Sequence, residues 1–593
     1  MQYKMITTPE GLEEILDIVG DNPAALDFEG WTIVRLAQIC NDDVWAVIDF
    51  GDRHDNWFGE VAHWFEEAPW IVFNSGHEKR YFAKYDAYPT CWDLANLRKA
   101  VEGGGHMSLK QLVGWELEIE MDKEEQGSDW DNGDLTQSQL DYAAGDARHT
   151  WDAWCNIRSR ADADHMRAFN LLDGMTDAVI EMEEAGLLLD QEYHQSLVDE
   201  WQRLHDERVV AFREFVSEDE VKNLRSGAQL SDFFSRILPD EYLEPWPLTE
   251  KTGLLSMANK DLRMMAGVFG GTPLQAALLT LTEIKTLDKY ITSFGDTLIT
   301  KAKLDDEGRV RARYNIAAAI TGRFSSSSPN LQQIPRDRDF FGQRLSVRKS
   351  FIAHEGHQLV SLDYRGIELR VLALLAGDDQ LLHDMIHGDV HLEVGSFIAG
   401  RQLDKKVVED KEIRQSAKAV SFGIVYGISS LGLSASMKTT MDAAQGYIDF
   451  WADRYPKAFD LRNHVFEEAR DTQYIRVIDG GGIFMGNRPG LTKCANYPVQ
   501  RAALSIMAAA INRHKASLDD ARSSWGPDSV TMVSTIHDAL IDEAKDRYAS
   551  SSLKLMKNDM VAGYLDIFPG APTDKLVEGG VGPSWGELVD EEV

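Results

Sequence analysis

Two apolar runs that end on an aspartate constrain this chain more than any other feature. In "LVSLDYRGIELRVLALLAG", residues 359 to 377, a buried-strand pattern reaches Asp363 and then passes into a helical pattern carrying Glu368 and Arg370. A second run, Val530 to Ile536, leads into "IHDALIDEA" and sets Asp538 at a similar point. A carboxylate at the end of a desolvated strand is costly unless it has a partner, either a cation of the protein or a bound metal. Taken singly, each aspartate reads more simply as a turn or capping residue. Taken together, two strand-end carboxylates from distant positions can converge on one sheet edge, where two Mg²⁺ ions bridged between them would activate a hydroxyl and stabilise a leaving pyrophosphate.

Length and composition set the frame. A chain of 593 residues exceeds what one core supports and implies two or more domains. It has no uninterrupted apolar run of about 18 residues, which argues against a membrane span, and its N-terminus lacks a signal-peptide pattern. Cys40, Cys91, Cys155 and Cys494 are widely separated with no CxxC spacing, as expected of a reducing, cytoplasmic setting without a zinc module. The net charge of −36 argues against a nucleic-acid partner only until it is divided by region. Residues 1 to 160 hold 13 Lys/Arg against 31 Asp/Glu, whereas residues 309 to 349 hold nine Lys/Arg and only Asp337 and Asp339 as acids. Screening over roughly 8–10 Å lets such a local basic strip bind phosphate on an acidic protein.

Along the chain, "AALDFEG", "TIVRLAQIC" and "VWAVIDF" read as strands, and helical patterns follow from about 60 to 155. This predicts an α/β domain over 1–155. Residues 165 to 300 are largely helical, with a polar interruption containing Trp and Pro at 238 to 256. Strand patterns return over 309–376, helices over 378–475, and "YIRVIDG" and "VTMVSTIHDALIDEA" frame a further helix at 494 to 515.

In "RQSAKAVSFGIVYG", residues 414 to 427, Arg414, Lys418, Phe422 and Tyr426 recur every four residues and form one stripe on a helix. Two cations followed by two aromatics suit a nucleoside triphosphate, although the spacing alone favours a mixed surface and core helix. With "DYRGIELRVLALLAGD", "IHDALIDE", "TGRFSSSSPNLQQIP" (321–335), "NYPVQRAALSIM" (496–507) and "VGPSWGEL" (581–588), the order of segments resembles the family A, polymerase-I-like DNA polymerases over roughly residues 165 to 593. That resemblance implies a right-hand polymerase domain over 156–593, with the thumb near 185–300, the palm near 301–377 and 476–593, and the fingers near 378–475. It implies that Asp363, the Tyr364 backbone and Asp538 hold two metals, and that Arg414 and Lys418 bind triphosphate, with Lys418 able to protonate pyrophosphate. By the same resemblance Phe422 packs on the sugar, Tyr426 borders the templating base, Glu368 blocks a ribose 2′-hydroxyl, and His391 lies on the nucleotide side. Arg323, Asn330, Gln333, Asn496, Gln500 and His537 would touch DNA. Five features depart from the family pattern: Ala539 where an acid usually follows, leaving Asp542 and Glu543 as substitutes; Gly366 for Gln; Thr492 for Arg; Arg501 where Gly is common; and "RVIDGGGIFMGNRPG" without an Arg-rich run.

The N-terminal domain has its own acids. Asp27 and Glu29 sit two apart on a strand and share a face; Tyr142 and Asp146 share a helix face; Asn74 and Glu78 add a third acid. In so acidic a domain any one of these fits a solvated surface. Their order resembles the tyrosine-containing DEDD-type 3′–5′ exonucleases of ribonuclease-H-like α/β fold. The resemblance implies that Asp27, Glu29, Glu78 and Asp146 ligate two metals while Tyr142 orients the attacking water. Glu78 is the departure, since Asp is commoner there. No 5′-nuclease segment is expected ahead of this domain, a short layout that resembles phage replicative enzymes working in the host cytoplasm.

The expected activity is therefore template-directed extension of a primer with dNTPs, with proofreading. Two Mg²⁺ per site are expected, with Mn²⁺ able to substitute. The expected partners are primer-template DNA, a processivity factor or other replisome protein, and no membrane. Two other readings are an exonuclease with a decayed polymerase and a noncatalytic replication scaffold.

Overall fold

A computed structural model describes residues 3–122, 124–335, 338–340, 343–437 and 439–590. Arg336 and Asp337 of the basic strip lie outside the described residues. The N-terminal unit is a six-stranded mixed sheet in the spatial order Lys4–Ile6, Trp45–Asp49, Leu36–Cys40, Ala24–Glu29, Trp70–Val72, Cys91–Asp93. The middle three strands form an antiparallel meander, while Ala24–Glu29 pairs in parallel with Trp70–Val72. Two of these strands, Trp70–Val72 and Cys91–Asp93, fall in the stretch where helical patterns dominate the sequence. Each is three residues long and nearly or fully buried, too short for a period-two pattern to show. The closing helix, Gln137–Arg160, starts at a capping box of Thr136 and Gln139 and continues unbroken past residue 155.

One face of this sheet has its own core, from Ile6 through Phe28 and Phe58 to Cys91. The other face does not. Ala25, Ile71 and Leu94 belong to a core cluster that continues through the helices Ala163–Asp173 and Thr176–Ala185 into the C-terminal sheet and the helices around it. The two halves of the chain are thus welded through apolar packing.

Residues 191 to 304 form an antiparallel pair of long helices, Gln191–Arg213 and Pro273–Lys289, which carries a satellite core of Phe212, Phe233, Trp246 and Leu278. The polar interruption at 238–256 is anchored there, because the buried Trp246 packs on Phe234 at 5.4 Å between ring centroids, while its Nε1–H donates to the Ser256 carbonyl at 3.0 Å within the same segment. The C-terminal half centres on a five-stranded antiparallel sheet in the order Val530–Ile536, Ala539–Lys545, His357–Tyr364, Val577–Gly582, Val589–Asp590. The helices Leu491–Trp525 and Ala549–Ile567 pack together, and the shorter one covers this sheet. The longer helix exceeds the predicted span at both ends and contains Pro498. Helices between Ile367 and Thr472 form a separate wall beside the sheet. Among the described residues, no helix is long and apolar enough to cross a membrane.

Candidate active sites

Asp363 is the next-to-last residue of the strand His357–Tyr364 and pairs in register with Ala539 on one side and Glu578 on the other. Asp538 occupies a two-residue turn, His537–Asp538, between two paired strands. The Tyr364 amide donates to the Asp538 carbonyl at 3.1 Å, which fastens that turn to the end of the Asp363 strand. The turn is strained, since His537 has φ +56°. Gln332 holds it from below. Its Oε1 accepts from the His537 amide at 2.7 Å and its Nε2 donates to the Thr535 carbonyl at 2.7 Å. Gln333, where the sequence leads one to expect a DNA contact, is exposed, while the sequence carries no mark of the buried Gln332 beside it. The side chain of Tyr364 points away from the site, its hydroxyl donating to the Met560 carbonyl at 2.5 Å, so only its backbone faces Asp538.

Arg323, Asp363, Glu368, Gln500, His537 and Asp538 line one open cleft, together with Glu578 and Arg348, neither of which the sequence reading selected. Glu368 lies in the first turn of the helix Ile367–Ala376 and accepts from both the Tyr426 hydroxyl and the Arg323 guanidinium. Three distant segments therefore meet on one carboxylate. Gly366, which precedes that helix, adopts φ +59°, a conformation that suits glycine better than the Gln the family pattern leads one to expect there. Asn330 and Gln333 are exposed, whereas the Asn496 amide donates back to the Thr492 carbonyl of its own helix at 3.0 Å.

The helix Val408–Val425 carries Arg414, Lys418 and Phe422 on one face, with Tyr426 as its C-terminal cap. The Phe422 ring lies 5.8 Å from His391 and 6.0 Å from Tyr426, and the Lys418 ammonium is 5.8 Å above it. Arg414 Nε donates to Asp389 at 2.9 Å, and Lys405 reaches the same carboxylate oxygen at 2.6 Å. Burial, reinforced by Arg414 and Lys418 against the opposing pull of Asp389, lowers His391 to about 4, so its ring is neutral at pH 7.

The structure rejects both substitutes for the acid missing at Ala539. Asp542 pairs with Val360, three residues from Asp363, and so lies on the opposite face of the sheet. There it accepts from Ser552 and pairs with His514, whose other ring nitrogen meets Asp559 at 2.9 Å. Glu543 shares the face of Asp363 but sits four residues along, roughly 13 Å away, bound to Arg309 at 2.8 Å and to the His354 amide. Two other departures explain each other. Arg501 is wholly buried and donates to Asp479 of "RVIDGGG" at 2.8 Å, with Ser505 on the same oxygen at 2.7 Å. Burial raises the Asp479 carboxyl, yet Arg501 and these hydrogen bonds hold it below the usual range.

In the N-terminal unit Asp27 and Glu29 lie on the strand Ala24–Glu29, and Asp146 on the helix Gln137–Arg160. Carboxylate oxygens of the three lie within 4.8 Å of one another. Glu78 is 1% exposed and lies in the first turn of the helix Gly76–Ala83. Burial, then the neighbouring Asp27, pushes its carboxyl well above the ordinary range. Its Oε2 has no hydrogen-bond partner among the described residues. A buried oxygen without a donor, beside three crowded carboxylates, is a donor set suited to a divalent cation. Tyr142 lies one turn before Asp146 on the helix Gln137–Arg160, and burial, then Asp146, raises its hydroxyl. Gln38, a register partner of Asp27, is fully buried against it and escaped the sequence reading.

With this geometry in place, comparison with known proteins identifies the class. A family model described as DNA polymerase family A matches residues 191–587, and one described as 3′-5′ exonuclease matches residues 3–160. The chain belongs to DNA polymerase family A and carries a 3′–5′ exonuclease domain N-terminal to the polymerase region. It is 28% identical over 463 residues to DNA polymerase I of Chloroflexus aurantiacus, covering 75% of this chain and 46% of that protein. It is also 32% identical over 375 residues to the thermostable DNA polymerase I of Thermus aquaticus, covering 61% and 42%. The chain thus spans less than half the length of these relatives. Its fold matches the polymerase domain of Pol1 from M. smegmatis, solved in complex with DNA primer-template and dNTP, with TM-score 0.79 at 22% identity over 98% of this chain and 99% of that one.

Proposed function

We propose that this chain is a template-directed DNA polymerase that extends a primer 3′ end with dNTPs and proofreads with a separate 3′–5′ exonuclease site. The observation that carries the reading is the joining of Asp363 and Asp538 at one end of the sheet's inner strands, in the cleft that also holds Glu368. Asp363, Asp538 and the Tyr364 carbonyl are the donors for Mg²⁺, with Mn²⁺ able to take the same oxygens. Such ions, when bound, acidify the primer hydroxyl and neutralise pyrophosphate. Arg414 and Lys418 grip the triphosphate, and Lys418 donates a proton to the departing pyrophosphate. Phe422 and His391 border the sugar, Tyr426 the templating base, and Glu368 the 2′ position. Arg323, Asn330, Gln333, Asn496, Gln500 and His537 contact primer or template. In the second site Asp27, Glu29, Glu78 and Asp146 hold the ions while Tyr142 orients water.

We assign the exonuclease unit to the chain up to Arg160, where its last helix ends, and not 155. The polymerase unit follows, with thumb near 185–300, palm near 301–377 and 476–593, and fingers near 378–475. Primer extension with Mg²⁺ and dNTPs tests the reading. Wild type should extend and also shorten primers, Asp363→Ala should lose only extension, and Asp27→Ala only shortening. DNA binding without extension by wild type would replace this reading with a scaffold, and shortening alone would indicate a decayed polymerase. Repeating extension on a long single-stranded template, with and without host proteins, would test for a processivity partner.

A further inference from the structure

Trp31 stands two residues beyond Glu29 and is 63% exposed, although it is among the largest apolar side chains in the molecule. It is held, not loose. Asp131 accepts from the Trp31 amide at 2.7 Å, the Thr32 amide at 2.9 Å and the Thr32 hydroxyl at 2.7 Å. The indole Nε1–H donates to the Ser128 carbonyl at 3.1 Å, which fixes the ring by its edge. The Tyr81 hydroxyl lies 3.0 Å from both the Gly30 and Trp31 carbonyls, and Tyr81 belongs to the same short helix as Glu78. Gly30 permits the bend, because at φ +144° a Cβ there would lie 1.9 Å from the Ile33 carbonyl oxygen. Arg53 completes the support from behind, donating to Asp131 at 3.1 Å.

An indole tied at its edge nitrogen and open on its surface loses little entropy on binding, and bases stack on such rings without regard to sequence. We propose that Trp31 is a stacking platform for a base at the 3′ end of the single strand that enters the exonuclease site, making it a positioning residue for that strand. The inference rests on the exonuclease reading given above.

Fluorescence anisotropy of a 3′-labelled single-stranded oligonucleotide in EDTA tests it without catalysis. Trp31→Ala should bind roughly 5- to 100-fold more weakly, Trp31→Phe should recover most of that loss, and Trp115→Ala, which removes another exposed indole, should bind as wild type. An oligonucleotide lacking bases at its 3′-terminal positions should bind wild type as weakly as the intact strand binds Trp31→Ala, with no further loss in the variant. In Mg²⁺, Trp31→Ala should raise KM for shortening and leave kcat unchanged. Equal binding by wild type and Trp31→Ala, or equal losses in both from removing the bases, would overturn the platform while leaving the exonuclease reading intact. A wild type that does not shorten the strand at all would overturn both.

Discussion

At the scale of single residues, the polymerase-like cleft depends on groups that hold its ligands in place as much as on the ligands. Gln332 spans the strained His537–Asp538 turn with two hydrogen bonds from a buried side chain. Gln332→Ala removes both, and with about 1–3 kcal/mol expected for each polar group left unsatisfied, single-turnover nucleotide incorporation should slow by tenfold or more while shortening of single strands is unchanged. Glu368, proposed above to border the 2′ position, is also the meeting point of Tyr426 and Arg323. Glu368→Ala should narrow the preference for dNTP over rNTP and also lower incorporation of the correct dNTP, both read from competition kinetics. A variant that admitted rNTPs at full dNTP rate would show that the contacts to Tyr426 and Arg323 do nothing for the site.

At the scale of elements, the departures from family pattern become packing solutions. The buried Arg501–Asp479 pair pins the hairpin Tyr474–Arg476/Gly482–Phe484 to the long helix. Arg501→Met strands a buried carboxylate and should cost about 3–5 kcal/mol in denaturant unfolding, whereas Arg501→Met with Asp479→Leu should recover most of it. On the back of the five-stranded sheet, His514 bridges Asp542 and Asp559. Although burial alone lowers it, the two carboxylates raise it from 6.5 to about 9. A histidine raised on folding stabilises fully below pH 6.5, and the contribution disappears as pH climbs through 9. Wild-type stability should therefore fall on the order of 3 kcal/mol between those limits, and His514→Gln should lack that slope in denaturation series at matched pH.

At the scale of the whole molecule, the two candidate sites are held in one frame. Glu183, on the helix Thr176–Ala185, accepts from Arg80 of the N-terminal unit and, at 2.8 Å, from Arg313 of the polymerase unit. Its other oxygen takes the Tyr314 amide at 2.6 Å. Glu183→Ala leaves two arginines facing each other across that junction, so calorimetry should resolve two unfolding transitions where wild type shows a more cooperative one. The continuous core beneath this cluster explains why residue 155 does not mark a structural break: the helix Gln137–Arg160 and the next helix, Ala163–Asp173, both pack against Leu94–Glu102.

Much of this was legible in the chain alone. Asp363 and Asp538, each ending an apolar run, and the periodic stripe of Arg414, Lys418 and Phe422 left local marks in the linear pattern, but only their combination with the other family-like segments in order gave those marks a meaning. Asp27 and Glu29 were legible for the same reason, two apart on one strand. Gln332, Gln38 and the Arg501–Asp479 pair left no such mark, since a buried polar side chain is defined by a partner far away in sequence. The strands Trp70–Val72 and Cys91–Asp93 were too short to show a period. Whether Asp542 or Glu543 could replace the acid missing at Ala539 was likewise beyond the sequence. Strand register decides it, and register sends one to the far face and the other about four residues out of reach. The sequence determined the family to which the chain belongs and the acids it carries; only the tertiary structure decided which of those residues meet, because convergence across a sheet is a property of pairing and not of order along the chain.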